Sequence, residues 1–139
     1  MMTTVSIFVD GSCRGNPGPG GYCAILQAGG REKVLVDGAD ATTNNRMELT
    51  AVLAGLEALK RPCAVTLFTD SRYVAHILNG SKARANLDLV QRVRAVAAGH
   101  RVVVEWLAGH SGHEMNERCD RLAHAEATRR VRAGSQVVE

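Results

Sequence analysis

The hydrophobic pattern of this chain changes its period at Asn45, and that change restricts the folds open to it. Before this position the apolar residues occur in three short runs, which predict strands over residues 5–9, 22–27 and 32–37. From Asn45 onwards they recur every three or four positions, which predicts an amphipathic helix that ends before Pro62. The chain therefore begins with an antiparallel meander followed by a helix.

Strands and helices alternate through the rest of the chain. Strands are predicted over 64–69 and 101–107, and helices over 71–78, 87–97 and 114–132. A helix between two strands fits a crossover to a parallel neighbour. We therefore expect an α/β fold with a five-stranded mixed sheet, three strands antiparallel and two parallel, flanked by helices. The length predicts a single domain over residues 1–139, with a flexible tail over about 133–139.

Four acidic residues and one histidine fall at one edge of this predicted sheet. Two of the acids end strands, one lies in the first turn of a helix, and the fourth lies about one turn into the last helix. The histidine belongs to the glycine-flanked loop after the fifth strand. Open α/β sheets place their sites beyond the carboxyl ends of strands, which is where these residues meet: Asp10, Glu48, Asp70, His110 and Asp120.

Each acid also has a structural interpretation. Asp10 could be a turn residue, Glu48 could close a capping box, and Asp70 could cap the following helix. Asp120 could be a solvated helix carboxylate. Four carboxylates at the ~4.8 Å spacing of adjacent strands would nevertheless repel one another unless a cation lay among them. Oxygen ligands of this kind favour Mg²⁺ or Mn²⁺ over zinc.

The cysteines indicate neither a disulfide scaffold nor a structural zinc site. They are four in number and have no paired spacing, so we expect reduced thiols in a cytoplasmic protein: Cys13, Cys23, Cys63 and Cys119. A zinc site built from His110, His113 and Cys119 is disfavoured because the loop is a poor tetrahedral frame. No signal peptide and no membrane-spanning run of ~18 apolar residues is visible.

Basic charge is concentrated in the second half of the chain. The net charge is +3, from 17 basic and 14 acidic side chains. Residues 71–139 carry 11 basic and 7 acidic side chains, whereas residues 1–70 carry 6 and 7. This asymmetry indicates a polyanionic partner, and the acids of the first half would need cations before a phosphate could approach.

Four motifs occur in order along the chain. They are Asp10-Gly-Ser-Cys-x-Gly-Asn16-Pro-Gly-Pro-Gly-Gly, Thr43-Asn-Asn-Arg-Met-Glu48-Leu, Thr69-Asp70-Ser71 and Gly109-His110-x-Gly-His-x-x-Asn116-Glu-Arg-Cys-Asp120. Together they resemble the motif set of bacterial type 1 ribonuclease H, from about Thr4 to Ala127. The resemblance implies a ribonuclease H-like fold and an endonuclease that cleaves the RNA strand of RNA–DNA hybrids, leaving 5′-phosphate and 3′-hydroxyl ends.

The resemblance also implies a catalytic site with two Mg²⁺ ions, for which Mn²⁺ can substitute. Asp10 would bridge both ions, and Asp70 and Asp120 would each hold mainly one. Glu48 would help to coordinate and would orient the ribose. His110 would shuttle a proton or assist product release, while His113 would order the loop.

Seven residues are the substrate contacts that the resemblance implies. Asn16, Asn44 and Asn45 could equally be turn and cap residues. Selection of RNA requires recognition of a 2′-hydroxyl. The implied contacts are Cys13, Asn16, Asn44 and Asn45 near the 2′-hydroxyls, Thr43 and Arg46 near a phosphate of the DNA strand, and Arg72, which stands where a glutamine is common and could take a phosphate.

The sequence departs from longer members of the family after the segment that begins at Asp70. Where those members carry a basic helical handle, this chain has only residues 79–86, with Lys82 and Arg84 as their charges. We therefore expect weak, salt-sensitive binding, unless other arginines compensate: Arg92, Arg94, Arg129, Arg130 and Arg132. Aromatic residues make up only 4% of the chain, so we expect the aromatic wall that some members offer the DNA strand to be missing. Trp106, the only tryptophan, is on the last strand and is expected to be a core residue.

Three other identities share these features. The first is a catalytically silent module that binds nucleic acid, which would gain nothing from clustered carboxylates. The second is a nuclease or integrase acting on DNA, and the asparagines placed for 2′-hydroxyls favour RNA instead. The third is a domain of a reverse transcriptase. The interpretation we favour is a free-standing monomeric enzyme in the cytoplasm, without a membrane association or an obligate protein partner.

Overall fold

The computed structural model describes residues 2–109 and 112–137 of the chain. Its order of elements agrees with the order predicted from the sequence. The strands are β1 (Thr3–Cys13), β2 (Gly18–Ala28), β3 (Arg31–Thr42), β4 (Cys63–Thr69) and β5 (Arg101–Trp106). The helices are α1 (Asn44–Glu57), α2 (Arg72–Leu78), α3 (Leu87–Ala97) and α4 (Glu114–Val137).

The sheet has five strands in the order β3-β2-β1-β4-β5. The pairs β1–β2 and β2–β3 are antiparallel, and the pairs β1–β4 and β4–β5 are parallel, which confirms the predicted mixed sheet. Phe8 of β1 lies opposite Phe68 of β4. Asp10 and Asp70 each follow two residues later, so this register brings both aspartates to the same edge of the sheet.

The two faces of the sheet bury different helices. Side chains alternate along β1, so Ile7 and Val9 point towards α1 and α3, while Phe8 points towards α4. The larger core lies on the α1 side, and Ile7 is completely buried within it. On the other face, Cys119 and Ala123 of α4 pack against Phe8. The alternation places Asp10 on the α4 side, where α4 carries Asp120.

Several boundaries differ from the prediction. β1 and β3 continue past residues 9 and 37, because the antiparallel pairing with β2 runs on to Cys13 and Thr42. By contrast, α1 ends at Glu57, before Pro62 as predicted. α4 continues to Val137, beyond its predicted end at residue 132, and so includes the first part of the segment expected as a tail.

The expectation that Trp106 is a core residue was wrong. It lies at the end of β5, the outermost strand of the sheet, and 42% of its surface is exposed. An edge strand has a neighbouring strand on one side only, so the ring cannot be enclosed as it would be on a central strand.

Within the described ranges, no helix is long and apolar enough to cross a membrane.

Candidate active site

Three carboxylates converge at the carboxyl ends of β1 and β4. Asp10, Glu48 and Asp70 each offer an oxygen, and these three atoms all lie within 4.8 Å of one another. Asp10 and Glu48 are each only 3% exposed, whereas Asp70 is half-buried. The cluster therefore faces outwards on its Asp70 side and is closed on the other.

Gly11 allows α1 to approach β1 closely enough to bring Glu48 into this cluster. A Cβ atom at Gly11 would lie 2.6 Å from the backbone nitrogen of Glu48 and 2.8 Å from the carbonyl carbon of Met47. The Gly11 N–H donates to Oδ1 of Asp10 at 2.9 Å and to Oε1 of Glu48 at 3.0 Å. This orienting role of Gly11 was not predicted from the sequence, although a glycine directly follows the strand-ending Asp10.

The remaining oxygens of the two buried acids have no hydrogen-bond partner among the described residues. These atoms are Oδ2 of Asp10 and Oε2 of Glu48, and both are buried. Buried polar atoms are nearly always satisfied, so two unsatisfied oxygens in one place need an explanation. Hard, negatively charged oxygens in a group of three are the ligand type that Mg²⁺ and Mn²⁺ prefer. The donor set therefore fits a divalent cation.

The pKa values of these acids are shifted in the direction that such a site requires. Burial raises the pKa of Asp10 to about 7, and the charges of Asp70 and Asp120 act in the same direction. Burial, together with the charge of Asp10, holds the pKa of Glu48 well above its ordinary value. Both acids keep their protons to a higher pH than exposed carboxyl groups do, and cation binding would therefore release protons.

Of the two other predicted catalytic residues, Asp120 and His110, the structure describes only Asp120. Asp120 is half-buried on α4 and close enough for its charge to affect Asp10, but it lies outside the group within 4.8 Å. His110 lies outside the described residues. Asp120 is therefore a neighbour of the cluster formed by the other three acids.

His113, which was predicted to order the loop, contacts the start of α4. Its Nδ1 accepts the backbone N–H of Asn116 at 3.3 Å, and its ring centroid lies 6.0 Å from that of Phe68. The thiol of Cys119 donates to the carbonyl of Phe8 at 3.2 Å. His113 and Cys119, two of the residues considered for the disfavoured zinc site, therefore have other partners.

Most of the predicted substrate residues surround the start of α1. Thr43 caps the helix, with its hydroxyl accepting the N–H of Arg46 at 3.3 Å. Oδ1 of Asn16 accepts the N–H of Asn44 at 3.3 Å, which ties the β1–β2 loop to the helix. The side chains of this group form one rim beside the acidic cluster: Cys13, Asn16, Thr43, Asn44 and Asn45. Asn16 lies in the loop as expected, but the helix cap is Thr43 and not Asn44 or Asn45, which are the first two residues of α1. A role of these residues in binding stays open.

Arg46 is already paired within the protein. Its Nη1 and Nη2 donate to Oδ1 and Oδ2 of Asp88 at 3.0 and 2.8 Å. The hydrogen bonds from Arg46 lower the pKa of Asp88 to about 2. A phosphate that bound Arg46 would therefore compete with a carboxylate on α3.

The arginines expected to compensate for the missing handle are largely engaged elsewhere. Arg94 donates to backbone carbonyls of Ile77 and Ser81 at the end of α2. Arg130 joins α4 to β3 through Asp37 and Asp40, and both Arg129 and Arg130 contact Glu126. Arg92 lies 3.9 Å from Glu57. Arg132 is exposed and forms no ion pair within the part of the chain that is described.

Comparisons with known proteins agree with this geometry. A family model described as RNase H matches residues 2–128. The Ribonuclease H of Nitratidesulfovibrio vulgaris is 51% identical, over 91% of this chain and 90% of its own length. The Ribonuclease HI of Helicobacter pylori is 48% identical, over 94% of this chain and 98% of its own length.

Solved structures share the fold. LC9-RNase H1, a type 1 RNase H with the type 2 active-site motif, aligns with a TM-score of 0.82 at 29% identity, over 94% of this chain and 74% of its own. LC11-RNase H1, solved in complex with an RNA/DNA hybrid, aligns with a TM-score of 0.78 at 21% identity, over 91% of this chain and 99% of its own. By sequence and by fold, the chain belongs to the ribonuclease H family, whose members are metal-dependent nucleases.

Proposed function

We propose that this chain is an endonuclease that hydrolyses the RNA strand of RNA–DNA hybrids by two-metal-ion catalysis with Mg²⁺, leaving 5′-phosphate and 3′-hydroxyl ends. Mn²⁺ can substitute for Mg²⁺. The observation that carries the proposal is the convergence of Asp10, Glu48 and Asp70 within 4.8 Å, with two buried oxygens that have no partner in the described part of the chain. The relatives named Ribonuclease H, at about half identical residues, support the substrate.

Each acid has a role that follows from its place. Two divalent cations bound here would supply an activated water, shield the charge on the phosphate and stabilise the leaving 3′ oxygen. Asp10 is within reach of the charges of both Asp70 and Asp120 and would help to hold both cations, while Asp70 and Asp120 would each hold mainly one. Glu48, oriented through Gly11, would complete the ligand set and orient the ribose. His110 would take or deliver a proton.

RNA would be recognised at the rim formed by the β1–β2 loop and the start of α1. Asn16, Asn44 and Asn45 are exposed there, and their amides can both donate to and accept from a 2′-hydroxyl. Cys13 lies at the same rim and is half-buried. Thr43 and Arg46 would meet a phosphate of the DNA strand, and Arg72 would meet a phosphate on the other side of the cluster. A monomeric state, a cytoplasmic location and the absence of an obligate partner stay predictions.

A cleavage assay on matched duplexes tests the substrate. End-labelled RNA–DNA hybrid, double-stranded RNA and double-stranded DNA of one sequence are incubated with the protein and Mg²⁺ or Mn²⁺. We expect cleavage of the RNA strand of the hybrid alone, and products whose 3′ ends a polymerase can extend. Failure to cleave the hybrid with either ion would refute the proposal, and equal cleavage of double-stranded DNA would refute the RNA selectivity.

A further inference from the structure

Trp106 is the only tryptophan of the chain, and it is exposed next to the acidic cluster. Its indole N–H donates to the backbone carbonyl of Asp70 at 3.1 Å. The backbone N–H of Leu107 also donates to the carbonyl of Thr69, at 2.8 Å. The end of β5 is thereby fixed to the segment that carries a catalytic carboxylate, with a large aromatic ring left facing solvent.

Arg72 lies over this ring. Its guanidinium carbon is 5.0 Å from the ring centroid, within the range of a cation–π contact. None of the ion pairs between described residues involves Arg72, whereas Arg46 and Arg130 are each held by carboxylates. A guanidinium held by its face keeps N–H donors at its edge for another acceptor. Arg72 is therefore positioned without its hydrogen-bonding capacity being used up by an acid.

A cavity of about 400 Å³ opens beside this pair. Apart from Arg72 and Trp106, its walls come from one side of α2, namely Ala75, His76 and Asn79. It adjoins Asp70, because Trp106 contacts the Asp70 backbone and Arg72 follows two residues later. The cavity therefore lies on the opposite side of the acidic cluster from the rim that α1 provides.

We propose that Trp106 is a positioning residue that holds Arg72 against a phosphodiester of the RNA strand, and that the adjoining nucleotide of this strand occupies the cavity. The inference rests on the proposed function, since the strand cut at the acidic cluster is the one that passes Asp70. A positive group beside the acids suits a polyanion, and the apolar walls suit a base or ribose. Resting on the ring restricts a flexible side chain before binding, which lowers the entropy lost when the phosphate is bound.

Steady-state kinetics on the full chain test the contact to phosphate. Arg72→Gln should raise KM for the hybrid about three- to tenfold with little change in kcat, and should reduce the slope of log affinity against log salt by about 1. Arg101→Gln is the matched control, because it removes the same charge from the far end of β5. If both variants change KM and the salt slope equally, the proposed contact is refuted.

Variants of Trp106 test the positioning role. Trp106→Ala should raise KM and lower the salt slope as Arg72→Gln does, and the double variant should be little worse than either alone. Trp106→Phe keeps a ring under the guanidinium and should retain most of the affinity. A merely structural tryptophan predicts another result, namely a lower Tm and kcat in Trp106→Ala with KM and salt slope unchanged. That result would overturn the proposal.

The fluorescence of the single tryptophan reports directly on the cavity. In an Asp10→Asn background, which prevents turnover, hybrid binding should change Trp106 emission with the same midpoint as an independent binding measurement. Unchanged emission during measurable binding would contradict occupation of the cavity.

If the unmodified protein cleaves no hybrid, the proposed function fails. If it cleaves hybrid while Arg72→Gln behaves like Arg101→Gln, this inference alone fails.

Discussion

When ionised, Asp10 and Glu48 destabilise the fold unless positive charge is present, because they are buried side by side. Each is 3% exposed, and each has an oxygen without a partner among the residues that the structure describes. A buried carboxylate pair without a counter-charge keeps protons or destabilises the folded state. This loss of stability comes from the arrangement of the site itself, because the same oxygens would provide the affinity for cations.

Substitution of Asp10 by asparagine should therefore stabilise the metal-free protein at alkaline pH. The folded-state pKa of about 7 lies above the ordinary aspartate pKa of 3.8, so the folded state holds the extra proton in this interval. The contribution of Asp10 to stability is therefore greatest below about pH 4 and is lost as pH rises through about 7. Urea unfolding in EDTA at pH 8 should show Asp10→Asn more stable by about 1–3 kcal/mol, with a much smaller gain at pH 5.

Asp40→Asn provides the control, since Asp40 is an exposed acid that pairs with Arg130. It should give no gain in stability at either pH. A metal-free Asp10→Asn protein that is less stable than the original at pH 8 would contradict the account of this pair. Added Mg²⁺ should narrow the difference, because it stabilises the ionised carboxylates of the original protein.

The contact between β1 and α1 is the element-scale feature on which the site depends. Gly11 lies where any side chain would meet the backbone of Met47 and Glu48. Gly11→Ala should therefore push α1 away from β1, destabilise the protein by about 1–3 kcal/mol, and reduce kcat because Glu48 leaves the cluster. Thermal unfolding and hybrid cleavage measure both effects.

Gly134→Ala is the matched control for this substitution. Gly134 lies within α4, and a Cβ there would meet no atom within 4 Å. Alanine should be neutral or slightly stabilising at this position, since it favours helix. Equal effects of the two substitutions would show that the close approach at Gly11 is not what orients Glu48.

The bidentate pair between α1 and α3 makes a second element-scale prediction. Asp88 occupies the guanidinium of Arg46 that a phosphate of the DNA strand would need. Asp88→Asn should weaken this internal pair and so tighten hybrid binding by about two- to fivefold at low salt, with a smaller gain at high salt. Asp37→Asn, which removes an acid paired with Arg130, should show no comparable gain. Equal gains in the two variants would indicate a general effect of charge and contradict competition for Arg46.

At the scale of the whole molecule, the sequence contained most of the information about topology. Short apolar runs and one helical period were enough to predict the order of elements, and chain direction then placed Asp10, Glu48 and Asp70 together. These patterns are local in the sequence, and the direction in which each strand runs then determines which residues meet at one edge of the sheet. The exposure of Trp106 did not follow from such a pattern, because strand order decides which strand becomes an edge.

The partners of the arginines could not be predicted from the sequence either. Arg94 and Arg130 looked available for nucleic acid, yet they bind carbonyls of the α2–α3 connection and acids of β3. Such pairs join residues far apart in the chain, up to 93 positions for Arg130 and Asp37. Their use within the fold leaves a modest basic surface, which is consistent with the expectation of weak, salt-sensitive binding.

The central claim is that the acidic cluster binds divalent cations and that these drive cleavage of the RNA strand. Its most direct test is the rate of hybrid cleavage as Mg²⁺ is added to EDTA-treated protein, compared with Asp10→Asn under the same conditions. We predict no cleavage without the ion, saturable recovery with it, and a loss of about a thousandfold or more in kcat for Asp10→Asn with hybrid binding retained. Cleavage in the absence of divalent cations, or an undiminished rate in Asp10→Asn, would contradict the account.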